Sequence, residues 1–280
     1  MTQRMNQILA PGRVAVITGA GSGIGAGLAR ELYARGMLLA LVDTDHEALC
    51  RLNAEFNGEA LISTSDVTSH EEFEAFYQQV SARYDSVHLL VNNVGAILRA
   101  GPWGAPDAWK RSFDVNFTSA LIGQHFFVPR MISGDEPAAV VNLGSKEGIT
   151  TPPGNAAYSA AKAALKVMTE QLAHELLMTT DGRVSAHLLV PGYTWTPMNG
   201  QTSADAVKPK GAWTVEQLID YAIARLLNED FYVICPDNEV SSELDAKRIR
   251  WSTEDMIKNR PALSRWHPDY KDRYAEWLRQ

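Results

Sequence analysis

Short apolar segments alternate with longer amphipathic segments along most of the chain. Each apolar segment is hydrophobic at nearly every position, which is typical of strands buried on both faces of a sheet. Strands are predicted on this basis at residues 14–17, 37–42, 60–63, 87–91, 138–143, 184–190 and 231–235. Helical periodicity between them predicts helices at residues 24–35, 45–56, 69–84, 107–132, 155–178 and 214–227. Regular alternation of strand and helix predicts an α/β fold, a doubly wound parallel sheet of about seven strands with helices on both faces.

Two regions depart from this alternation. Residues 191–212 are rich in Pro, Gly and Ser, and we expect 193–212 to form a lid or substrate loop. The C-terminal extension, residues 236–280, is charged and holds three tryptophans, so we expect it to pack on the body or on a partner subunit. It fits either a helix in a surface groove or a part of the substrate pocket. We predict a single domain, 1–280, with its core at 12–235.

Composition narrows the class of protein. The chain has 280 residues, 45% hydrophobic and 21% charged, which is typical of a globular protein. Its formal net charge of -7 argues against a nucleic-acid partner. No apolar run is long enough to span a membrane, and the polar segment Met1 to Pro11 lacks a signal region. Cys50 and Cys235 are far apart in segments predicted to be buried or half-buried, so we expect a reduced, cytoplasmic protein. The scattered histidines predict no metal site.

A glycine-rich loop lies between the first predicted strand and the first predicted helix. It reads Thr18-Gly-Ala-Gly-Ser-Gly-Ile-Gly25, and we assign Gly19, Ser22, Gly23, Ile24 and Gly25 to cofactor binding. Glycines let a ligand approach the backbone, and the N-terminus of a helix favours an anion such as pyrophosphate. A tight turn without a ligand is the alternative. The strand–loop–helix context favours a Rossmann-type dinucleotide site.

Asp43 ends the second predicted strand, 18 residues after Gly25. A carboxylate there accepts both ribose hydroxyls of the adenosine and repels a 2′-phosphate. No Lys or Arg stands in the glycine loop or just after Asp43. We therefore predict NAD rather than NADP as the cofactor, although Asp43 also fits a helix cap.

Tyr158 and Lys162 lie four residues apart in the predicted helix 155–178, on one face of that helix. The phenol titrates near 10 in water, and a neighbouring positive charge favours the phenolate. Such a pair is suited to proton chemistry near neutral pH. By itself the pattern also fits a surface pair.

Together these motifs resemble the classical short-chain dehydrogenase/reductase family, over residues 12 to about 235. The glycine loop is similar to TGxxxGIG, Asn92-Asn-Val-Gly95 to NNAG, and Pro191-Gly192 with Thr194 and Thr196 to PGxxxT. The resemblance implies a cofactor site that includes Asp66, Val67, Asn92, Val94, Gly95, Tyr158, Lys162, Pro191, Thr194 and Thr196. Val94 stands where Ala is usual, and Pro236-Asp-Asn-Glu239 replaces a VDGG-like segment, which leaves the usual C-terminal subunit contact open.

The same resemblance implies four catalytic residues, Asn116, Ser145, Tyr158 and Lys162. Tyr158 is expected to move the proton, and Lys162 to lower the tyrosine pKa and bind the nicotinamide ribose. Ser145 is expected to hold the substrate oxygen, and Asn116 a water that links Lys162 to solvent. The implied reaction is hydride transfer between a secondary alcohol and NAD.

The predicted substrate contacts are Ser145, Tyr158, Ile97, Tyr193, Trp195 and Met198. Their apolar and aromatic side chains suit a bulky aromatic or alicyclic small molecule, although those in the loop also fit packing within it. Lys146 is expected to meet an acidic substrate group or to point to water.

Two other functions share these features. One is a nucleotide-sensing protein without catalysis, and the other is a sugar-nucleotide epimerase or dehydratase, for which the glycine spacing and short tail are unfavourable. The resemblance also implies a homo-oligomer, a dimer or tetramer, formed through the helices at 107–132 and 155–178.

Overall fold

The computed structural model describes residues 4–201, 203 and 205–279. Three of the predicted segments therefore include residues that the structure does not describe. These are the first three residues of the predicted domain, residues 202 and 204 of the predicted loop 193–212, and residue 280 of the C-terminal extension.

Within the described residues, seven parallel strands form one sheet, as the apolar segments predict. They are β1 (Val14–Thr18), β2 (Leu38–Asp43), β3 (Leu61–Thr64), β4 (Leu89–Asn92), β5 (Ala138–Leu143), β6 (Val184–Val190) and β7 (Tyr232–Ile234). β1, β4 and β5 are buried at every position, which explains their continuous apolar sequences.

The strand order in space is β3-β2-β1-β4-β5-β6-β7. The direction of winding reverses between β1 and β4, where Ile17 pairs with Val91. In an open parallel sheet, the loops that leave the carboxyl ends of the strands part at such a reversal and leave a crevice. The topology therefore brings together residues that follow β1, β2, β4, β5 and β6.

Helices cover both faces of this sheet. They are α1 (Arg4–Ile8), α2 (Gly23–Ala34), α3 (His46–Glu55), α4 (His70–Arg83), α5 (Pro106–Phe113), α6 (Ser119–Ser133), α7 (Glu147–Thr150), α8 (Ala156–Thr180), α9 (Val215–Leu227), α10 (Ser242–Ile257) and α11 (Lys271–Arg279). One face packs around Leu32, Leu218 and Leu226, and the other around Phe73, Phe76 and Phe127. The prediction of a doubly wound, Rossmann-type sheet is confirmed.

The predicted continuous helix 107–132 is wrong in one respect. A single π-helical turn, Asp114–Thr118, separates α5 from α6. Inside it, the Asn116 side-chain amide donates to Ser112 O at 3.0 Å, the carbonyl that an α-helical backbone would use. The side chain thus competes with the backbone, and π-turns of this kind frequently occur at functional sites.

The C-terminal extension forms α10 and α11, which pack on each other through aromatic rings. Trp251 is buried, donates from Nε1 to Ser264 Oγ at 2.7 Å, and lies 5.3 Å from the ring of Trp277. Helix α10 also packs against α7, beside the end of β5. The extension therefore packs on the body, as expected, close to the residues that follow β5.

Cys50 is exposed on α3, so its predicted burial is wrong, whereas Cys235 is buried as expected. Across the described part of the chain, no helix has the length and apolarity needed to cross a membrane. The same residues contain no group of three or more His, Cys, Asp or Glu placed to hold a metal ion.

Candidate active site

A cavity of about 720 Å³ opens at the carboxyl edge of the sheet, in the crevice between β1 and β4. Most of the predicted site residues line it: Gly19, Ser22, Gly23, Ile24, Asp43, Asp66, Val67, Val94, Gly95, Ile97, Ser145, Tyr158, Lys162, Pro191, Tyr193, Thr194, Thr196 and Met198. They meet there because parallel strands present all their carboxyl ends at one edge of the sheet.

The glycine loop places backbone N–H groups at one end of this cavity. Gly19 and Gly23 have φ of +64° and +52°, which favour glycine. Ser22, the N-cap of α2, makes no side-chain cap hydrogen bond, so the first N–H groups of the helix remain free for an anion. Gly25 does not line the cavity. A Cβ at Gly25 would lie 2.1 Å from Gly19 O, so this glycine lets α2 pack against the loop.

Asp43 lies at the end of β2 and lines the same end of the cavity. Its two carboxylate oxygens accept from Gly21 N at 2.8 Å and from Asp45 N at 3.0 Å. The carboxylate is thus fixed beside the glycine loop. Of the described residues that line the cavity, the positively charged ones are Lys146, Lys162 and Arg248, which lie toward the catalytic residues rather than beside Asp43.

Asn92, a predicted cofactor contact, does not line the cavity. It is buried behind the wall, where its Nδ2 donates to Asn142 Oδ1 at 2.8 Å. The neighbouring Asn93 lines the cavity instead, and its Nδ2 donates to Thr18 O and Gly19 O. Successive side chains at a strand end point in opposite directions, which separates the two asparagines. Asn93 holds the glycine loop against β4.

Tyr158 and Lys162 lie side by side on α8 at the centre of the cavity. Lys162 Nζ is 5.9 Å from the centre of the Tyr158 ring and donates to Leu143 O at 2.8 Å. Burial lowers the pKa of Lys162 to about 8. We expected the lysine to lower the tyrosine pKa. Instead, the pKa of Tyr158 lies above its ordinary value of 10.0, because burial disfavours the charged phenolate.

Ser145 follows β5 and stands between this pair and α7. Its Oγ accepts from Glu147 N at 3.2 Å, and its hydrogen bond with Tyr158 holds the pKa of the tyrosine down. Glu147 acts in the opposite direction, since its negative charge raises the pKa of Tyr158. Burial also raises the pKa of Glu147 itself. The sequence places Glu147 in the expected pocket wall, residues 146–151, but assigns this carboxylate no role.

Asn116 lies behind the cavity wall and is buried. Its side chain joins two segments, because Nδ2 donates to Ala96 O at 2.9 Å and Oδ1 accepts from Ala96 N at 3.0 Å. Gly95 lies close to both catalytic candidates, because a Cβ there would lie 3.2 Å from Asn116 Oδ1 and 3.3 Å from Lys162 Nζ. The absence of a side chain at Gly95 lets both polar atoms approach the backbone there, and the water expected to link Lys162 to solvent stays a prediction.

The substrate loop contributes Tyr193 and Met198 to the cavity, but not Trp195. The Trp195 ring packs under Gly200 instead, within 3.3 Å of the point where a Cβ would lie. Its backbone N–H donates to Trp213 O at 2.8 Å. The predicted substrate contact at Trp195 is therefore a contact within the loop.

Residues of the C-terminal extension complete the wall near Ser145. Lys146 Nζ lies 2.6 Å from Asp245 and 3.6 Å from Asp237, so it neither points to water nor remains free for an acidic substrate. Asp237, Val240 and Arg248 line the cavity. Sequence reasoning left the role of the extension open, because its residues have no motif and reach the cavity only through tertiary packing.

The residues present fit a dinucleotide. The cavity is lined by the uncapped N-terminus of α2, by the carboxylate of Asp43, and by Ser145, Tyr158 and Lys162. Its donors include backbone N–H groups, hydroxyls and Lys162, which match phosphates, ribose hydroxyls and a carboxamide. The arrangement is chemically equipped for proton transfer at Tyr158 beside a redox cofactor.

Comparison with known proteins agrees with this geometry. A family model described as short chain dehydrogenase matches residues 13–207. The chain is similar to the cis-4-hydroxycyclohexanecarboxylate dehydrogenase of Sinomonas cyclohexanicum, with 32% identity over 78% of this chain and 90% of the relative. It is also similar in structure to a short chain dehydrogenase/reductase from Burkholderia phymatum in complex with NAD, with a TM-score of 0.79, 26% identity, and coverage of 89% of this chain and 96% of that one. The Pseudomonas aeruginosa RhlG/NADP complex gives a TM-score of 0.67 at 25% identity, covering 78% and 91% of the two chains.

Proposed function

This chain belongs to the short-chain dehydrogenase/reductase family, and on that basis we propose that it is an NAD-dependent enzyme that interconverts a secondary alcohol and a ketone. The observation that carries the proposal is the convergence of Ser145, Tyr158 and Lys162 in one cavity with the glycine loop. A nucleotide sensor would have no need of a buried phenol beside a buried ammonium group, both of which are costly to maintain.

Tyr158 is the proton-transfer group in this proposal. In alcohol oxidation its phenolate accepts the hydroxyl proton, and in ketone reduction its phenol returns that proton. When bound, the nicotinamide supplies the hydride acceptor or donor for the adjacent carbon. Because burial raises the pKa of Tyr158, the phenol dominates at neutral pH. The protonated phenol that ketone reduction requires is therefore the main form at neutral pH. Alcohol oxidation requires the phenolate, so its rate is expected to increase as the pH rises.

Ser145 positions the substrate oxygen. The Glu147 backbone N–H occupies one lone pair of Ser145 Oγ, which leaves the hydroxyl hydrogen to be donated. Donation to the substrate oxygen stabilises the negative charge that develops when the proton leaves. Lys162 is assigned to bind the nicotinamide ribose. Asn116 is assigned to hold the water that links Lys162 to solvent. The Asn116 amide, tied to Ala96, also fixes the strand-end segment that holds Gly95.

The assignment of NAD rests on charge at the adenosine end of the cavity. Asp43 is held beside the glycine loop, and no described cation lines that end to balance a 2′-phosphate. An added phosphate would bring like charges together in a partly buried site, which is unfavourable. Family members bind either cofactor, so this choice depends on the residues of this chain.

The proposed substrate is a bulky alicyclic or aromatic small molecule. Ile97, Tyr193 and Met198 supply apolar wall on the substrate side of Ser145. The similarity to a dehydrogenase of cis-4-hydroxycyclohexanecarboxylate supports an alicyclic alcohol.

The decisive test replaces the tyrosine hydroxyl. Tyr158→Phe should bind NAD as wild type does, measured by calorimetry, and lose at least about a thousandfold in turnover of an alicyclic alcohol panel. Tyr77→Phe, on α4 away from the cavity, is the matched control and should keep full activity. Substantial activity in the Tyr158 variant would contradict the mechanism. NAD binding by wild type without turnover of any panel member would instead favour a nucleotide sensor.

A further inference from the structure

Helix α10 brings a third cation, Arg248, to the cavity that Lys146 and Lys162 line. Asp245 and Arg248 are three residues apart on this helix and therefore share one face. Asp245 is buried and lies 2.6 Å from the Nζ of Lys146, the residue that follows Ser145. The face that carries Arg248 is thus fixed against the catalytic serine by an ion pair.

Arg248 lines the same cavity as Ser145 and Tyr158. Its Nε atom is buried and has no hydrogen-bond partner, and among the described residues no salt bridge joins its guanidinium to a carboxylate, although its charge opposes the burial that raises the pKa of Asp245. The nearby carboxylates are engaged elsewhere. Asp245 pairs with Lys146, while Asp237 accepts from the backbone N–H groups of Tyr193 and Val240.

The other two cations of the cavity are already satisfied. Lys146 is balanced by Asp245 and Asp237, and Lys162 donates to Leu143 O. Arg248 is therefore the cavity cation, among the described residues, that has neither an ion pair nor a hydrogen bond. A partly buried guanidinium with unpaired N–H groups is unfavourable unless a ligand pairs with it. Its planar pair of donors matches the two oxygens of a carboxylate.

A negative charge also stands near the tyrosine in this cavity. Glu147 lies close enough to Tyr158 to raise the pKa of the phenol, so negative charge already stands at the reacting end. An anionic group of the substrate is repelled by Glu147 and attracted by the positive charge of Arg248. The alcohol carbon of the same molecule is then left beside Ser145 and Tyr158.

We propose that Arg248 is a specificity-determining residue that binds a carboxylate at the end of the substrate remote from the reacting carbon. The substrates are then hydroxy acids, and the products keto acids, with a bulky apolar body between the two groups. The carboxylate is unchanged in the reaction. This inference rests on the proposed function and deepens it. Arg248 lies beyond residues 13–207, so the family resemblance does not reach the residue.

Matched pairs of probes test this proposal. Hydroxycyclohexanecarboxylate is compared with hydroxycyclohexanecarboxamide, and hydroxyethylbenzoate with hydroxyethylbenzamide, using NAD and wild type, Arg248→Gln and Arg248→Lys. Wild type should prefer each acid. Arg248→Gln should raise KM for the acids about 10- to 100-fold, the range for hydrogen bonds to charged groups, and leave the amides within about twofold. Arg248→Lys should restore part of the loss, since it keeps the charge without the planar fork.

Arg250→Gln is the control, since Arg250 is exposed on the same helix. Equal use of acid and amide by wild type, or an equal loss of both in Arg248→Gln, would overturn the inference while the proposed function stands. If wild type oxidises none of the four alcohols, the proposed function fails. Calorimetric binding of the acids to the NAD-loaded enzyme then decides separately: binding weakened in Arg248→Gln alone supports the carboxylate site, and binding that is equal in both proteins or undetected in wild type overturns it.

Discussion

Replacement of Lys162 by Met should separate the stability of this protein from its activity. Lys162 is 3% exposed, and burial lowers its pKa to about 8 from an ordinary 10.5. One pH unit is worth about 1.4 kcal/mol, so holding this ammonium group in the folded state costs about 3 kcal/mol at neutral pH. Methionine has a similar length and no charge, and it removes that cost. It also leaves Leu143 O without its donor, a loss of about 1 to 3 kcal/mol.

The pH dependence isolates the charge from the lost hydrogen bond. The unfolded lysine binds its proton more tightly than the folded one, so the stability of wild type rises as the pH passes from about 8 to 10.5. The lost hydrogen bond is common to both pH values. Relative to Lys162→Met, wild type should therefore gain about 2 to 3 kcal/mol in free energy of unfolding between about pH 7 and about pH 10.

Urea unfolding of both proteins at the two pH values measures this difference. Lys166→Met is the control, because Lys166 lies one turn further along α8 and pairs on the surface with Glu170 at 2.8 Å. The Lys166 variant should show no comparable pH dependence. A difference between wild type and Lys162→Met that is the same at both pH values would refute the burial of a charged lysine. Turnover should be lost in Lys162→Met throughout.

Three further predictions follow from other parts of the molecule. Glu147→Gln removes the charge that raises the pKa of Tyr158, so the rise of kcat/KM with pH in alcohol oxidation should move to lower pH, whereas the exposed control Glu175→Gln should leave it in place. Asp43→Asn keeps an acceptor for the N–H group of the glycine loop but removes the negative charge. The ratio of kcat/KM with NAD to kcat/KM with NADP should fall at least about tenfold. An unchanged ratio would refute the role of Asp43 in the choice of cofactor. Val167→Glu places a charge on α8, where Val167 is 53% exposed, and sedimentation velocity should show a smaller assembly for this variant than for wild type. A monomeric wild type, or the same loss of assembly in the control Met256→Glu on α10, would contradict the predicted homo-oligomer.

The sequence by itself determined the fold and most of the cavity. Continuous apolar segments are sufficient to predict strands buried on both faces, and the strand–helix alternation leaves a parallel sheet as the consistent arrangement. Because all parallel strands have their carboxyl ends at the same edge of the sheet, the residues that follow β1, β2, β4 and β5 must lie near one another. The glycine loop, Asp43, Ser145 and the Tyr158–Lys162 pair could therefore be assigned to one site before any coordinates were known.

Only the tertiary structure decided what surrounds those residues. The pKa of Tyr158 depends on burial and on the charge of Glu147, neither of which is visible in the spacing of Tyr158 and Lys162. Asn92 and Asn93 are adjacent in sequence, yet the direction of each side chain at the strand end sends one behind the wall and the other into the cavity. Arg248 is about 100 residues from Ser145 along the chain, and it reaches the cavity through the packing of α10, in which Asp245 pairs with Lys146. Periodicity and motifs report local geometry, whereas burial and long-range ion pairs exist only once the chain has folded.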